Sequence, residues 1–113
     1  MRTHGPDLVV DTIRPFNSRP RPGQEVDFQV RVHNQGDEAA GPFTLRFEDD
    51  DRYRDEYRFS GLEAGAREDA ELRPLTVRDS QPIVLQAHVD DRNEVDETRE
   101  NNNLKTYTLI PRP

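Results

Sequence analysis

A strict alternation of apolar and polar side chains over residues 26–33 constrains the fold of this chain more than any other feature. In the sequence VDFQVRVH every second residue is apolar, and each residue between them is polar or charged. Successive side chains of a β-strand point to opposite faces of a sheet, so one face of this segment must be buried and the other must meet solvent. The segment is therefore predicted to be a strand with one buried face.

Six further strand-like runs are separated by turn signals, and no segment holds a helical period over three turns. These runs cover residues 8–13, 43–48, 53–59, 70–72, 83–89 and 104–110. Leu62 is predicted to plug the corner formed by residues 61–65. Pro74 is expected to confine the fifth strand of the chain to a sheet edge, because proline has no N–H to donate to a ladder.

Strands spaced by about 8–14 residues, with no helices between them, are typical of two packed antiparallel sheets. The predicted fold class is therefore all-β, an immunoglobulin-like β-sandwich of about seven antiparallel strands in two sheets. We predict one domain over residues 6–110, with terminal tails at residues 1–5 and 111–113. A chain of 113 residues fits a single domain of ordinary size.

The composition excludes several classes of function. The net charge of −7 disfavours binding to nucleic acid or direct insertion into a membrane, because phosphate backbones and anionic lipids are repelled. The absence of cysteine excludes disulfides, zinc thiolate sites and thiol catalysis. The serines Ser18, Ser60 and Ser80 lie in predicted turns or strand ends with no nearby histidine, so no hydrolytic nucleophile is expected and the domain is predicted not to be an enzyme.

The segment between the last two predicted strands is strongly acidic. Residues 90–103 contain six carboxylates and two arginines, which gives a local charge of −4. Calcium prefers carboxylate and amide oxygens, so Asp90, Asn93 and Glu97 are candidate ligands if the segment folds back on itself. The alternative is a metal-free loop that Val95 anchors in the core, with the polar side chains hydrogen bonded to the backbone.

Three other groups of residues admit a functional and a structural interpretation. The acidic tip at residues 48–51 could hold a cation, although a charged turn that discourages edge pairing explains it more simply. Tyr53 and Tyr57 could form a platform for a sugar, or they could be half-buried packing residues. His33 and His88 are predicted to face solvent on opposite sheets, which would exclude a shared transition-metal site.

Nearly the whole chain resembles the CARDB family, the cell adhesion related domain found in bacteria. The acidic segment resembles the family pattern D-x-x-N-x-V-x-E-x-x-E-x-N-N, with Asp90, Asn93, Val95 and Glu97 at the matching positions. Four further elements occur in the family's order. They are Pro6-Asp7-Leu8-Val9-Val10, the pair Pro22-Gly23 and Asn34-Gln35-Gly36, Gly41-Pro42-Phe43, and Gly61-Leu62-Glu63-Ala64-Gly65.

The resemblance implies a non-catalytic, extracellular β-sandwich module within a larger exported bacterial protein. It would serve as a spacer, or bind a protein or a cell-surface carbohydrate partner. The alternative is an accessory domain of a secreted hydrolase that captures substrate and is stabilised by calcium. No cofactor other than calcium is expected. The sequence determines neither the ligand nor the oligomeric state.

Overall fold

The computed structural model describes residues 5–89 and 104–113 of the chain. These residues form seven β-strands, which confirms the predicted fold class. The strands are β1 (Leu8–Pro15), β2 (Glu25–Asn34), β3 (Phe43–Asp49), β4 (Arg54–Phe59), β5 (Arg67–Thr76), β6 (Ile83–Val89) and β7 (Leu104–Leu109). Among the described residues there is no helix with the length and hydropathy needed to cross a bilayer.

The strands form two antiparallel sheets. One sheet has the order β1-β2-β5 and the other has the order β4-β3-β6-β7. This is a Greek-key arrangement of the immunoglobulin type, in which β4 pairs with β3 in the four-stranded sheet. The predicted edge position of β5 is confirmed, and the strand is longer than its sequence pattern indicated because it pairs with β2 over most of its length.

The alternation seen in the sequence becomes the sandwich core. In β2, every second side chain is buried, in the order that the sequence predicted. Phe28 lies at the centre of the interface between the sheets, where its ring is 5.1 Å from that of Phe47 and 6.5 Å from that of Tyr107. Leu62 is buried as predicted and joins its corner to Ala40 through two backbone hydrogen bonds.

The domain is elongated, with extents of 50 × 21 × 18 Å. We call one end the N-terminal pole, formed by residues 5–7, 34–38 and 61–65, which hydrogen bond to one another. The other end is the C-terminal pole, formed by residues 16–24, 49–53 and 76–82. At that pole the backbone N–H of Arg112 donates to the carbonyl of Pro20. The two ends of the described chain therefore lie at opposite poles.

Candidate functional site

Asn34 organises the N-terminal pole. It is the last residue of β2 and is completely buried. Its Oδ1 accepts hydrogen bonds from the backbone N–H groups of Asp7, at 3.1 Å, and Gly36, at 3.0 Å. Its Nδ2 donates to the carbonyl oxygens of Glu38, at 2.8 Å, and Leu62, at 3.0 Å. One amide side chain thus joins the start of β1, the turn after β2 and the corner at residues 61–65.

Gly36 lies against the first described residues of the chain. A Cβ on Gly36 would overlap the carbonyl oxygen of Gly5 and would lie 2.7 Å from the backbone nitrogen of Asp7. Asp37 accepts a hydrogen bond from the N–H of Gly5 at 2.8 Å. The turn after β2 therefore requires a glycine at position 36. The same turn packs closely against residues 5–7 and is hydrogen bonded to them.

The candidate calcium ligands Asp90, Asn93 and Glu97, together with Val95, lie outside the described residues. The strands that flank them are described. Leu104 pairs with His88, and Val89 pairs with Leu45, so the acidic segment connects two strand ends near the N-terminal pole. Calcium binding by these residues stays a prediction.

A groove with a volume of about 500 Å³ lies at the C-terminal pole. It runs between the β3–β4 turn, at residues 49–53, and the β5–β6 connection, at residues 77–82. Leu75 and Ile83 contribute apolar side chains to its lining, whereas the rest of the lining is dominated by aspartate and arginine. The lining of the groove therefore combines carboxylates and guanidinium groups with a small apolar surface.

The acidic turn at this groove is held by its own hydrogen bonds. Oδ1 of Asp49 accepts from the N–H groups of Asp51, at 2.9 Å, and Tyr53, at 3.0 Å. Arg78 donates to Asp51 at 3.1 Å. Among residues 5–89 and 104–113, no three histidine, aspartate or glutamate side chains come together as a metal site would require. The hydrogen bonds of Asp49 account for the conformation of this turn.

The three serines and the two described histidines, His33 and His88, stand where the sequence predicted them. His33 is in β2 of the three-stranded sheet and His88 is in β6 of the four-stranded sheet, and both are partly exposed. Ser18, Ser60 and Ser80 are exposed in turns outside the strands. These positions separate the hydroxyl groups from the imidazoles, so none of these serines has a histidine base beside it in the described part of the chain.

Tyr53 joins the two sheets and does not form a platform. Its side chain is 8% exposed, its ring packs on Phe47, and its hydroxyl donates to the carbonyl of Arg73 at 2.7 Å. Burial, together with the charge of Asp55, raises the pKa of the Tyr53 phenol well above its usual value. Tyr57 is half-buried against Phe59, with ring centroids 4.8 Å apart. The packing interpretation of both tyrosines is therefore the one that the structure supports.

Sequence reasoning missed the contacts that join β4 to β5. The N–H of Arg73 donates to Asp55 at 2.9 Å, and its guanidinium donates to the carbonyl of Arg54 and lies over the ring of Tyr53. The only signal in the sequence was the break in β5 at Arg73-Pro74, which the structure shows as a register shift opposite Val26 and Phe28. A bulge of this kind redirects a side chain, here toward the neighbouring sheet.

We expect Tyr53→Phe to lower the free energy of unfolding by about 1 kcal/mol, because one hydrogen bond to Arg73 is lost while the ring remains. The loss of stability on raising the pH should also be smaller in the variant. The raised pKa of Tyr53 stabilises the folded state below the ordinary tyrosine pKa, and that contribution falls as the unfolded phenol ionises above about pH 10. Urea unfolding between neutral and alkaline pH measures both effects, with Tyr57→Phe as the matched control. Equal pH profiles for the wild type and Tyr53→Phe would contradict the assignment.

The chain matches one protein family by sequence and several solved structures by fold. Residues 5–107 match the model of the CARDB family. The chain is similar to a CARDB domain from Pyrococcus furiosus solved in complex with di-metal ions, with 21% identity, a TM-score of 0.85, and coverage of 98% of this chain and 97% of that one. No curated protein matches the chain by sequence.

Two further solved structures share the fold. A domain of a proposed cell surface protein from Methanosarcina acetivorans is 22% identical, with a TM-score of 0.79 and coverage of 95% of this chain and 92% of that one. A β-glucosidase from Erythrobacter marinus matches at 16% identity with a TM-score of 0.60, over 95% of this chain and 16% of the enzyme. Similar sandwiches therefore occur both as separate domains and as a small part of a larger chain.

Proposed function

Because the chain belongs to the CARDB family, we propose that it is a non-catalytic β-sandwich module that extends a larger exported protein and presents its partner-binding parts away from the cell. The similar domain of a proposed cell surface protein from Methanosarcina acetivorans supports an extracellular setting. The resemblance of the sequence to adhesion-related domains supports partner binding by the larger protein that would contain this module.

The placement of the two ends of the described chain carries this proposal. Gly5 is hydrogen bonded to Asp37 at the N-terminal pole, and Arg112 is hydrogen bonded to Arg19 and Pro20 at the C-terminal pole. A polypeptide that continues in both directions would therefore enter at one end of the long axis and leave at the other. Modules joined in this way lie end to end, and each adds up to 50 Å of length.

A tandem of two copies, joined directly through residues 113 and 1, tests the spacer role. We expect small-angle X-ray scattering to give a maximum dimension close to twice the 50 Å length of one domain. The control is the same tandem with a long glycine–serine linker, which should show a broader distribution of distances because such linkers are random coils. A directly joined tandem no longer than a single domain would contradict the spacer role, because its copies would lie side by side.

Calcium binding by the acidic segment is a further part of the proposal. The side chains proposed as ligands, Asp90, Asn93 and Glu97, offer only oxygen donors, which suits a hard cation such as calcium and not a thiophilic metal. The similar domain from Pyrococcus furiosus was solved with di-metal ions, which supports a metal on this fold. When bound, calcium would offset the local charge of −4.

Calcium titration monitored by NMR tests this part. We expect the amide signals of residues 93–97 to shift in the wild type, and these shifts should disappear in the double variant Asp90→Asn, Glu97→Gln, which removes two of the carboxylates. The variant Asp50→Asn at the β3–β4 turn is the matched control and should keep the response. Unchanged signals of residues 93–97 at millimolar calcium would reject specific binding.

An accessory role beside a hydrolase is the second candidate. The observation that favours it is the similar domain within a β-glucosidase from Erythrobacter marinus. The burial of Tyr53 and the half-burial of Tyr57 remove the aromatic platform that such a role commonly uses. Sedimentation with insoluble polysaccharides distinguishes the candidates, since the spacer module is expected to stay in solution.

A further inference from the structure

The four sheet edges of the sandwich differ in how well they are protected from pairing with another strand. An edge strand exposes unpaired N–H and C=O groups, and proteins commonly blunt such edges with charges, prolines or bulges. β1 has a register shift after Val10 and ends at Pro15, and β5 has a register shift and contains Pro74. Four of the six residues of β4 are charged, and Arg73 donates to a carbonyl on that strand. Each of these three edges thus carries at least two protective features.

The fourth edge, β7, lacks most of these devices. Its sequence LKTYTL contains no proline and no acidic residue, and its register with β6 is continuous from Leu104 to Leu109. Lys105 is the one charged side chain of the strand. Threonine, tyrosine and leucine suit an extended backbone. No described strand pairs with the outer side of β7.

The outer face of β6 and β7 is also unusually apolar for this protein. Of the large hydrophobic residues that are exposed in the described chain, three lie here: Val84 at 41%, Leu104 at 52% and Ile110 at 54%. Val84 pairs with Thr108 on that face, and Leu104 and Ile110 share the phase of Thr108. In a chain with 35% charged residues, a neutral surface of this kind resembles the centre of a protein interface, where charge is depleted.

The charged residues on the outer face of the four-stranded sheet lie on its other half, formed by β3 and β4. Arg46 and Glu48 of β3 pair with Glu56 and Arg54 of β4, and these residues form ion pairs with one another. The neutral half therefore ends at the outer edge of β7, which no described strand covers, and a neighbouring strand would extend it there.

We propose that this edge pairs with β7 of a second copy of the chain, in antiparallel register about a two-fold axis at Tyr107. The axis stands perpendicular to the sheet, so outward side chains remain outward. Leu104 then lies opposite the partner's Ile110, and this contact occurs twice. The strand is self-complementary in this register, which is why a second copy fits the edge.

The same register also suits the polar residues of β7. Thr106 lies opposite the partner's Thr108, and Lys105 lies opposite the partner's Leu109, so the two lysines do not face each other. Moving the axis to Thr106 would place Ile110 opposite residue 102, which lies outside the described residues, and would separate the exposed aliphatic side chains. The dimer would contain a continuous eight-stranded sheet, and it goes beyond the proposed spacer function, since it joins chains side by side.

Analytical ultracentrifugation over a concentration series tests the dimer, with thermal melting by circular dichroism to confirm that each variant folds. We expect the wild type to approach twice the monomer mass of 13.1 kDa. The variant Leu104→Glu, Ile110→Glu places like charges opposite each other, and we expect its dissociation constant to rise at least tenfold. The control is Phe16→Glu, which changes a similarly exposed apolar residue in the connection between β1 and β2. This variant should leave the dimer intact.

A charge-paired variant tests the register. In Leu104→Lys, Ile110→Glu each lysine would face a glutamate of the partner, so dimerisation should be retained where the double glutamate variant loses it. A monomeric wild type at millimolar concentration would overturn the proposal and would leave the edge to a strand from another protein. Equal dimerisation of the wild type and the double glutamate variant would overturn it as well. Loss of the dimer in both double variants would overturn the register about Tyr107.

Discussion

Asn34→Ala is expected to lower the free energy of unfolding by about 3–5 kcal/mol, because two buried and two partly buried hydrogen bonds to the backbone are lost at once. The side chain is completely buried, and its four hydrogen bonds are 2.8 to 3.1 Å long. The N–H of Asp7 and the carbonyl of Leu62 would remain buried without this side chain, and the N–H of Gly36 and the carbonyl of Glu38 would remain partly buried without it. Urea unfolding of the wild type and the variant measures the difference.

Asn17→Ala is the matched control. The side chain of Asn17 also accepts a backbone hydrogen bond, from Arg19 at 3.1 Å, but the bond is exposed to water. Water can replace that partner, so we expect a change of about 0.5 kcal/mol or less. Similar losses for the two alanine variants would show that Asn34 does not join the segments of the N-terminal pole.

Asn34→Asp separates hydrogen bonding from size. The carboxylate would still accept from Asp7 and Gly36, but it would face the carbonyls of Glu38 and Leu62 without a proton to donate. Burial and these two oxygens should raise the pKa of the new carboxyl group above that in the unfolded chain. Its neutral form would then be the stable one, so the variant should regain stability, relative to the wild type, as the pH falls from 7 toward 4. A difference that is independent of pH would contradict this account.

Phe28→Ala is expected to lower the free energy of unfolding by about 3–5 kcal/mol, since a large aromatic side chain is replaced by a cavity between two sheets. Phe28 is completely buried, and its ring contacts rings on β3 and β7. The contacts come from the opposite sheet, so the cavity cannot close without moving strands that are held by their own ladders. Differential scanning calorimetry and urea unfolding give the loss of stability.

Phe16→Ala is the control for the loss of a phenyl ring as such. Its ring is 56% exposed and lies beneath the guanidinium of Arg14, at 5.8 Å. We expect a change of about 0.5 kcal/mol, as for other surface substitutions. Comparable effects of the two substitutions would mean that Phe28 is not central to the packing of the sheets.

Much of the fold follows from the sequence because strand burial has a period of two residues. The alternation over residues 26–33 predicted a strand with one buried face, and β2 is buried in that phase. Pro74 predicted that β5 lies at an edge, and the topology confirms it. The Pro22-Gly23 pair forms a turn, with a positive φ of 93° at Gly23 and a hydrogen bond from the N–H of Gln24 to the carbonyl of Arg21.

The sites were less predictable, because their contacts join residues far apart in the chain. Asn34 was noted only as part of the family element Asn34-Gln35-Gly36, and its partners Asp7 and Leu62 are 27 and 28 residues away. Tyr53 was open to two interpretations until the bulge at Arg73 supplied a carbonyl for its hydroxyl. The backbone groups that bond to Asn34 and to Tyr53 cannot be identified from the sequence, because every residue other than proline has the same backbone N–H and C=O.

The sequence by itself determined that the chain is a two-layered β domain with a charged exterior and no cysteine chemistry. Periodicity and composition are local properties, and the burial of every second side chain follows from the geometry of a strand wherever it lies. Only the tertiary structure decided which strands besides β5 are edges, which polar groups are buried with partners, and that the two ends of the described chain lie at opposite poles. These features depend on the order in which strands pair, and that order is set by long-range packing between the sheets.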